Sequence, residues 1–474
     1  MYGFKKSYKY YIFITRSDVT VRTIGSQSST LKHKNQGGIV NQVRSLGVVI
    51  IAVFMLYWDL DLGLAHSTGT AGRNFVHIEV TTKEQRTTLA NLGMAIDSVK
   101  SDAVYGTAND ATLARIRNVG FKIKETFVLN AKGLDALGFP EQDGRYHDYE
   151  EMTAALRTVV EENPEIMRMY SLGRTWQGRN IWAVQINAHG EFYDEGHQSG
   201  LPGIVFMGNH HAREHLSAEI PLMLIKYIGS NWRFDAEISR LVQNRDIFII
   251  PMVNPDGVEY DISGSRYKMH RKNMRSNRNG GFFRRDCLGV DLNRNYGFAW
   301  GTGGSSTDPC SDVYKGPEPF SEPETQTIKA FVENRPNLKV LLSYHTFSEL
   351  ILYPWGHSYD PIPDKEAHRA YRNMAQAMAQ WNHYTPQQSS ELYIASGDTT
   401  DWSWGTLGIF SFTFELSPKN MWGGGGFYPG DEIIERVFAD NLRPALFLMD
   451  IAEDPRRMAN YENPLDDPML WWLR

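Results

Sequence analysis

Three runs constrain the fold more than anything else in the chain: RDIFIIPMVN (245–254), KVLLSYHT (339–346) and IFSFTFEL (409–416). Each is short, mostly apolar and rich in β-branched or aromatic residues, and the first two lack the strict polar and apolar alternation of a half-exposed strand. Such strands have both faces covered, the condition of a sheet with helices on either side. A fourth run, PGIVFMGN (202–209), repeats the pattern, and GRTWQGRNIWAVQI supplies a turn and a strand. Helical patterns lie between them, in DYEEMTAALRTVVEENP, which Pro164 ends, and in SAEIPLMLIKYI (217–228). Strands of this kind alternating with helices predict an α/β domain with a largely buried sheet.

Upstream, a different unit is expected. FVHIEV (75–80) reads as a strand, residues 82–99 as an amphipathic helix, DAVYGTA as a second strand, ATLARIRNVG (111–120) as a second helix and FKIKETF as a third strand. This is a small α+β module, and a linker rich in Gly, Pro and charge follows it. Earlier still, the apolar run Leu46–Trp58 follows Lys32, Lys34 and Arg44 and precedes small residues. At thirteen residues it is short of the roughly 20 that span a membrane and suits the core of an export signal. The expected division is therefore a leader (1–65, cleaved near Ala65), an α+β domain (66–127), a linker (128–145), a main domain (146–456) and a tail (457–474). A net charge of −6 gives no general attraction to nucleic acid or acidic membranes, so contact with a membrane is expected only during export.

The chemistry concentrates in GNHHAREHLSAE (208–219), with three histidines and two glutamates. His211-x-x-Glu214-His215 could be an inverted zinc-peptidase motif, which needs both histidines one turn apart on one helix and a glutamate ligand some tens of residues on. The strand ending near Gly208 leaves His211 in a turn, Pro221 argues against one straight helix through 211–228, and no glutamate lies between Tyr260 and Pro317. The competing reading uses His211 and Glu214 with His345, at the end of a buried strand 131 residues after Glu214. Two nitrogens and one carboxylate leave a fourth position for water, as in catalytic zinc sites.

With these residues the chain resembles the zinc metallocarboxypeptidases of the A, B and T type, closest in character to bacterial carboxypeptidase T, from about Tyr146 to about Pro455. The resemblance rests on His211-Ala-Arg-Glu214, PMVNPDG (251–257), MHRKNMR (269–275), GVDLNRN (289–295), SYHTFSELILYPWG (343–356), YIASGDTTDW (393–402) and FSFTFEL (410–416), all in family order. It implies a mixed, mostly buried eight-stranded sheet flanked by helices, preceded by a small α+β propeptide-like domain. It also implies one Zn²⁺ per catalytic domain, held by His211, Glu214 and His345, with Glu415 as base and proton shuttle. Arg271 would hold the developing oxyanion and Asp291 would orient His211. Arg294, aided by Asn293, would bind the substrate's terminal carboxylate. Tyr393 would cap it and Arg213 would serve a subsite.

Further implications are less direct. Thr400 stands where basic-specific relatives carry aspartate and apolar-specific ones isoleucine; with Asp398 and Leu392 it implies a pocket for apolar and some basic side chains. Phe427 is expected at the mouth of the cleft. Cys287 and Cys310, 23 residues apart, sit where the digestive members place a disulfide. The α+β module would be an inhibitory propeptide, removed by an activating protease between Lys132 and Arg145. The expectation is thus a secreted, monomeric enzyme, extracellular or periplasmic, made as a zymogen, that releases single residues from peptides and proteins with a free C-terminus. A peptidase of cell-wall peptides, a related zinc deacylase and an inactive binding module are the alternatives. His210 and His215 are expected to serve packing or local hydrogen bonds.

Overall fold

The computed structural model describes residues 13–15, 18–20, 73–129, 139–140, 143–192, 199–264, 267–277, 287–419, 426–461 and 466. The apolar leader run, Ala65, Lys132 and most of the tail lie outside these. Near the N-terminus, β1 (Phe13–Thr15) and β2 (Asp18–Thr20) pair antiparallel.

Residues 73–129 form β3 (Arg73–Glu79), α1 (Lys83–Asn91), β4 (Ala95–Val99), β5 (Ala103–Asn109), α2 (Asp110–Asn118) and β6 (Ile123–Leu129). The strands make an antiparallel sheet in the order β4-β5-β3-β6. The helix expected over 82–99 is corrected. It starts with a Thr82–Gln85 capping box but ends at Asn91, and Gly93, at φ +100°, turns the chain into β4. The apolar spacing of the helix runs on into AIDSV, so periodicity alone joined two elements. Val76, Ile78, Leu89, Leu113 and Ile116 close a core of the module's own.

The main body adds α3 (Tyr149–Glu162), β7 (Met167–Arg174), β8 (Asn180–Ile186), β9 (Gly203–Gly208), α4 (Leu216–Asn231), α5 (Ala236–Asn244), β10 (Asp246–Ile250) and α6 (Pro255–Ile262). Then follow α7 (Pro323–Glu333), β11 (Leu338–Thr346), β12 (Leu350–Tyr353), α8 (Lys365–Asn382), β13 (Thr385–Gln388), α9 (Thr399–Leu407), β14 (Phe410–Leu416) and α10 (Ile434–Ile451). Its eight-stranded sheet runs β13-β12-β14-β11-β9-β10-β8-β7. The central β14, β11, β9 and β10 are parallel, and antiparallel pairings of β12 with β14, β10 with β8, and β8 with β7 make the sheet mixed. Every residue of β9 and β10 is buried, and separate cores lie on the two faces. Strands β9 and β10 lack alternation, as doubly covered strands do, whereas β14 is buried at every residue but Glu415 although its sequence alternates. Strands β7, β12 and β13 were not legible in that way.

The fold positions the site through parallelism. Because β9, β11 and β14 run the same way, their C-terminal ends open on one crevice, where ligands of open α/β sheets bind. Pro221 lies in the second turn of α4, which begins only at Leu216, so His211 and Glu214 sit in the preceding turn. The proline cannot bond the Ser217 carbonyl, which instead presses on Gly208, where a Cβ would lie 1.9 Å from that oxygen. Gly208 thus lets the ligand-bearing turn lie against its strand.

Candidate active site

The turn after β9 is built by Asn209, whose backbone is left-handed (φ 56°) and whose Nδ2 donates to the His211 carbonyl at 3.1 Å. The Glu214 N–H in turn donates to the His211 carbonyl at 3.1 Å, so both side chains project to one side. His345 arrives on β11, register-paired with Glu415 on β14. Nδ1 of His345 lies 3.1 Å from Nδ1 of His211 and 3.0 Å from Oε2 of Glu214, and Nδ1 of His211 lies 2.8 Å from Glu214 Oε1. All three residues are buried.

This donor set fits a cation. His211 Nε2 donates to Asp291 Oδ1 at 3.1 Å, which leaves its Nδ1 as a bare lone pair beside a carboxylate. Nε2 of His345 is engaged by Ser343 Oγ at 3.1 Å, which likewise turns Nδ1 inward. Converging lone pairs repel unless a positive charge sits among them. These are also the residues among those described whose His, Cys, Asp or Glu ligand atoms gather in a group of three, within 4.8 Å of one another. His215 is not among them: its Nε2 faces Asp261 Oδ2 at 2.9 Å, so the inverted motif is not formed.

Around the cluster lies a cavity of about 440 Å³. Arg271, buried, donates from Nε to Asp291 Oδ2 at 2.9 Å and holds NH1 3.7 Å from Glu214 Oε1. Asp291 therefore joins the first ligand to the guanidinium; burial opposes its charge, but Arg271 and His211 hold its carboxyl well below the usual range. Glu415 lines the cavity, and burial, then the Glu214 carboxylate, push its carboxyl well above the usual range. Arg294 is fixed by Nε to the Gly304 carbonyl (3.0 Å) and NH1 to the Asn293 carbonyl (2.7 Å), and Asn293 Oδ1 accepts from the Thr399 N–H and hydroxyl, each at 3.0 Å. Leu392, Thr400 and Asp398 line the same cavity. The Thr400 hydroxyl donates to Asp398 Oδ1 at 2.7 Å, while Asp398 Oδ2 has no partner. Burial, then Asp401, push Asp398 up to about 7. Cys287 and Cys310 are joined as a disulfide.

Two groups expected to meet substrate meet the α+β module. Arg213 donates from NH2 to Asp97 Oδ1 at 2.6 Å and from NH1 to Thr107 Oγ1 at 3.2 Å, and its guanidinium lies 4.0 Å over the Phe427 ring. The Tyr393 hydroxyl donates to the Ile96 carbonyl at 3.4 Å. Asp97 was not found by sequence reasoning, because AIDSV was taken into the helix; read as a strand, it would have set Asp97 apart from its apolar neighbours. Asp261, the partner of His215, was missed because an acid near the end of a short helix, four residues after PDG, carries no spacing signal.

The fold and the cluster define a metallopeptidase of the α/β class. A family model described as zinc carboxypeptidase matches residues 152–443, and the chain belongs to that family. It is 33% identical over 414 residues to a zinc carboxypeptidase of Saccharothrix mutabilis subsp. capreolus, a match covering 82% of this chain and 92% of that one. With carboxypeptidase A1 of Mus musculus it shares 31% over 312 residues, covering 65% and 70% of the two chains. The crystal structure of carboxypeptidase A from Helicoverpa armigera superposes with a TM-score of 0.66 at 24% identity, over 83% of this chain and 99% of that one, and shows the same fold. The protein is thus a zinc-dependent hydrolase of C-terminal peptide bonds. The family implies Zn²⁺, and the His211, Glu214 and His345 atoms suit it.

Proposed function

We propose that the chain is the zymogen of an exported carboxypeptidase whose α+β module holds the substrate groove closed. The observation that carries this reading is the Asp97–Arg213 pair, supported by Tyr393 on Ile96: strand β4 occupies groups assigned to substrate. Further bonds run from the Arg86 side chain to the carbonyl of Leu392 (2.5 Å) and from Lys83 to Glu391 (3.1 Å). The activating cut belongs before Phe139. Phe139 packs against the main core, Asp143 is buried and accepts from Tyr267 at 2.6 Å, and Arg145 pairs with Asp431 and Glu435. The disulfide accords with export. Among the described residues no helix is long and apolar enough to cross a membrane.

Once uncovered, the residues divide the reaction among themselves. Arg294 and Asn293 bind the terminal carboxylate, and Tyr393 closes over it. Zn²⁺, when bound, supplies Lewis acidity that makes water a competent nucleophile near neutral pH. Glu415 takes the proton from the attacking water and returns it to the leaving amine, while Arg271 steadies the charge on the former carbonyl oxygen. The Leu392, Thr400 and Asp398 wall admits apolar side chains and, through the unpartnered Asp398 oxygen, some basic ones. The partners of this reading are peptides with a free C-terminus and an activating protease, and the working form is a monomer.

The test is hydrolysis of blocked dipeptides ending in Phe, Leu, Arg, Lys or Glu by the full chain, before and after limited trypsin treatment. Activity that rises on treatment, prefers Phe and Leu, accepts Arg weakly and vanishes with a zinc chelator is expected. Full activity in the untreated chain would remove the zymogen reading, and a preference for Glu would remove the pocket assignment.

A further inference from the structure

His215, left over when the ligands are assigned, ends on a buried carboxylate that governs a different part of the site. Asp261, at the C-terminal end of α6, has no exposed surface. Its Oδ2 accepts from His215 at 2.9 Å, and its Oδ1 accepts from the His270 N–H at 2.6 Å. The Tyr428 hydroxyl lies 3.2 Å and 3.0 Å from the two oxygens and itself accepts from the Met269 N–H at 3.0 Å. The Asp261 carbonyl accepts from the Lys268 N–H at 3.0 Å. Three consecutive N–H groups of one arm, 268 to 270, therefore end on Asp261 directly or through Tyr428.

That arm has no ladder or helix of its own, and Met269 within it holds a left-handed backbone at φ 54°. Its next residue is Arg271, whose carbonyl accepts from the Ala212 N–H at 3.0 Å, beside the first ligand. Arg73 of the module also donates to the Lys268 and Met269 carbonyls, at 3.3 Å and 2.9 Å, so removal of the module leaves the arm held by Asp261, Tyr428 and the bonds of the Lys268 ammonium to Tyr260 and Ser263. We propose that His215, Asp261 and Tyr428 form a positioning unit that sets the Arg271 guanidinium against the metal-ligand turn. The proposal rests on the role given above to Arg271. His215 directly follows Glu214 and His270 directly precedes Arg271, so the unit ties the segments that carry the two groups. A carboxylate suits the place because both its oxygens accept, Oδ1 from His270 and Oδ2 from His215, with Tyr428 between them, whereas an amide keeps one accepting oxygen and presents a donor in place of the other. Hydrogen bonds to an ionised acceptor are also the stronger kind.

The experiment measures kcat, KM and zinc content of D261N, R271A and the double variant in the zinc-loaded full chain after trypsin treatment. D261N should lose at least tenfold in kcat with KM within twofold and zinc content unchanged, and should lose less than threefold more when added to R271A. Losses that multiply, an unchanged kcat, or loss of zinc would overturn the positioning role. If R271A alone keeps full kcat, the reading of Arg271 fails and the unit's role with it. Should D261N not fold, Y428F replaces it, with a threefold to tenfold fall in kcat that disappears in the R271A background. A fall that persists there would overturn the proposal.

Discussion

The molecule buries charge in two contrasting ways. At the ligand cluster, Asp291 receives His211 and Arg271 as well as the Asn293 N–H at 3.0 Å, and each ligand histidine has its outer nitrogen engaged. At the contact with the α+β module, Asp97 and Arg213 are just as deeply placed, yet Asp97 Oδ2 and Arg213 Nε have no hydrogen-bond partner. Burial pushes Asp97 up to about 6 against the pull of Arg213, whereas Asp291 stays ionised at the same depth. A fully bonded network holds one geometry; a half-satisfied ion pair costs much of its attraction in desolvation. The first arrangement suits a permanent site, and the second fits the proposed release of the module.

The sharpest break of this contrast falls on Glu415. Glu415→Gln keeps size and hydrogen bonding but removes the base, so kcat of the trypsin-treated enzyme should fall by about 10²–10⁴-fold while zinc content holds. Kinetics paired with metal analysis check it, and a loss of less than tenfold would take the base role from Glu415. On the other side, Asp97→Ala leaves Arg213 buried with only Thr107 bonded, a change worth about 3–5 kcal/mol for a broken buried pair. The untreated variant should hydrolyse a C-terminal Phe substrate at least tenfold faster than the untreated parent, and equally fast after trypsin. Equal rates before treatment would mean that the pair does not hold the module.

The same contrast governs what could be read without coordinates. Strands β9, β10 and β11 were legible because burial on both faces leaves an apolar run, β14 because its run is rich in Phe although it alternates, and the ligands because two stand three apart and the third lies near the end of β11. Family motifs pointed to Asp291, Arg271 and Arg294, and the structure brings these to the ligand cluster or the cavity around it. Asp97 was not legible, since its significance comes from meeting Arg213, 116 residues away across a module boundary. Asp261 was hidden for the same reason, its partners being His215, His270 and Tyr428 on separate segments. Local pattern reports an element's own burial; it carries no record of which distant polar group an acid will face.

A third buried carboxylate sharpens the comparison with the smallest effect. Glu324, at the start of α7, accepts from the Trp176 N–H and from Asn273 Nδ2, each at 2.9 Å, so it is well bonded, but only by neutral groups. Burial pushes it up to about 7, with the neighbouring Glu322, which shares the Asn273 amide, adding to the rise. Because the folded value lies above the ordinary one near 4.5, the native state holds the proton more tightly than the unfolded chain does. The stability this adds is fully present below pH about 4.5 and is lost as pH rises through about 7. Glu324→Gln removes the charge at every pH but turns an NH2 toward one of the two donors, a loss common to all pH values. The Tm difference, variant minus parent, should therefore be a few degrees more favourable at pH 8 than at pH 4, as expected for about one to two kcal/mol. A difference that is the same at both values would show that the parent carries the same charge at pH 4 and pH 8, and hydrogen bonds from neutral donors would then suffice to keep a buried carboxylate ionised here as the Arg271 guanidinium does for Asp291.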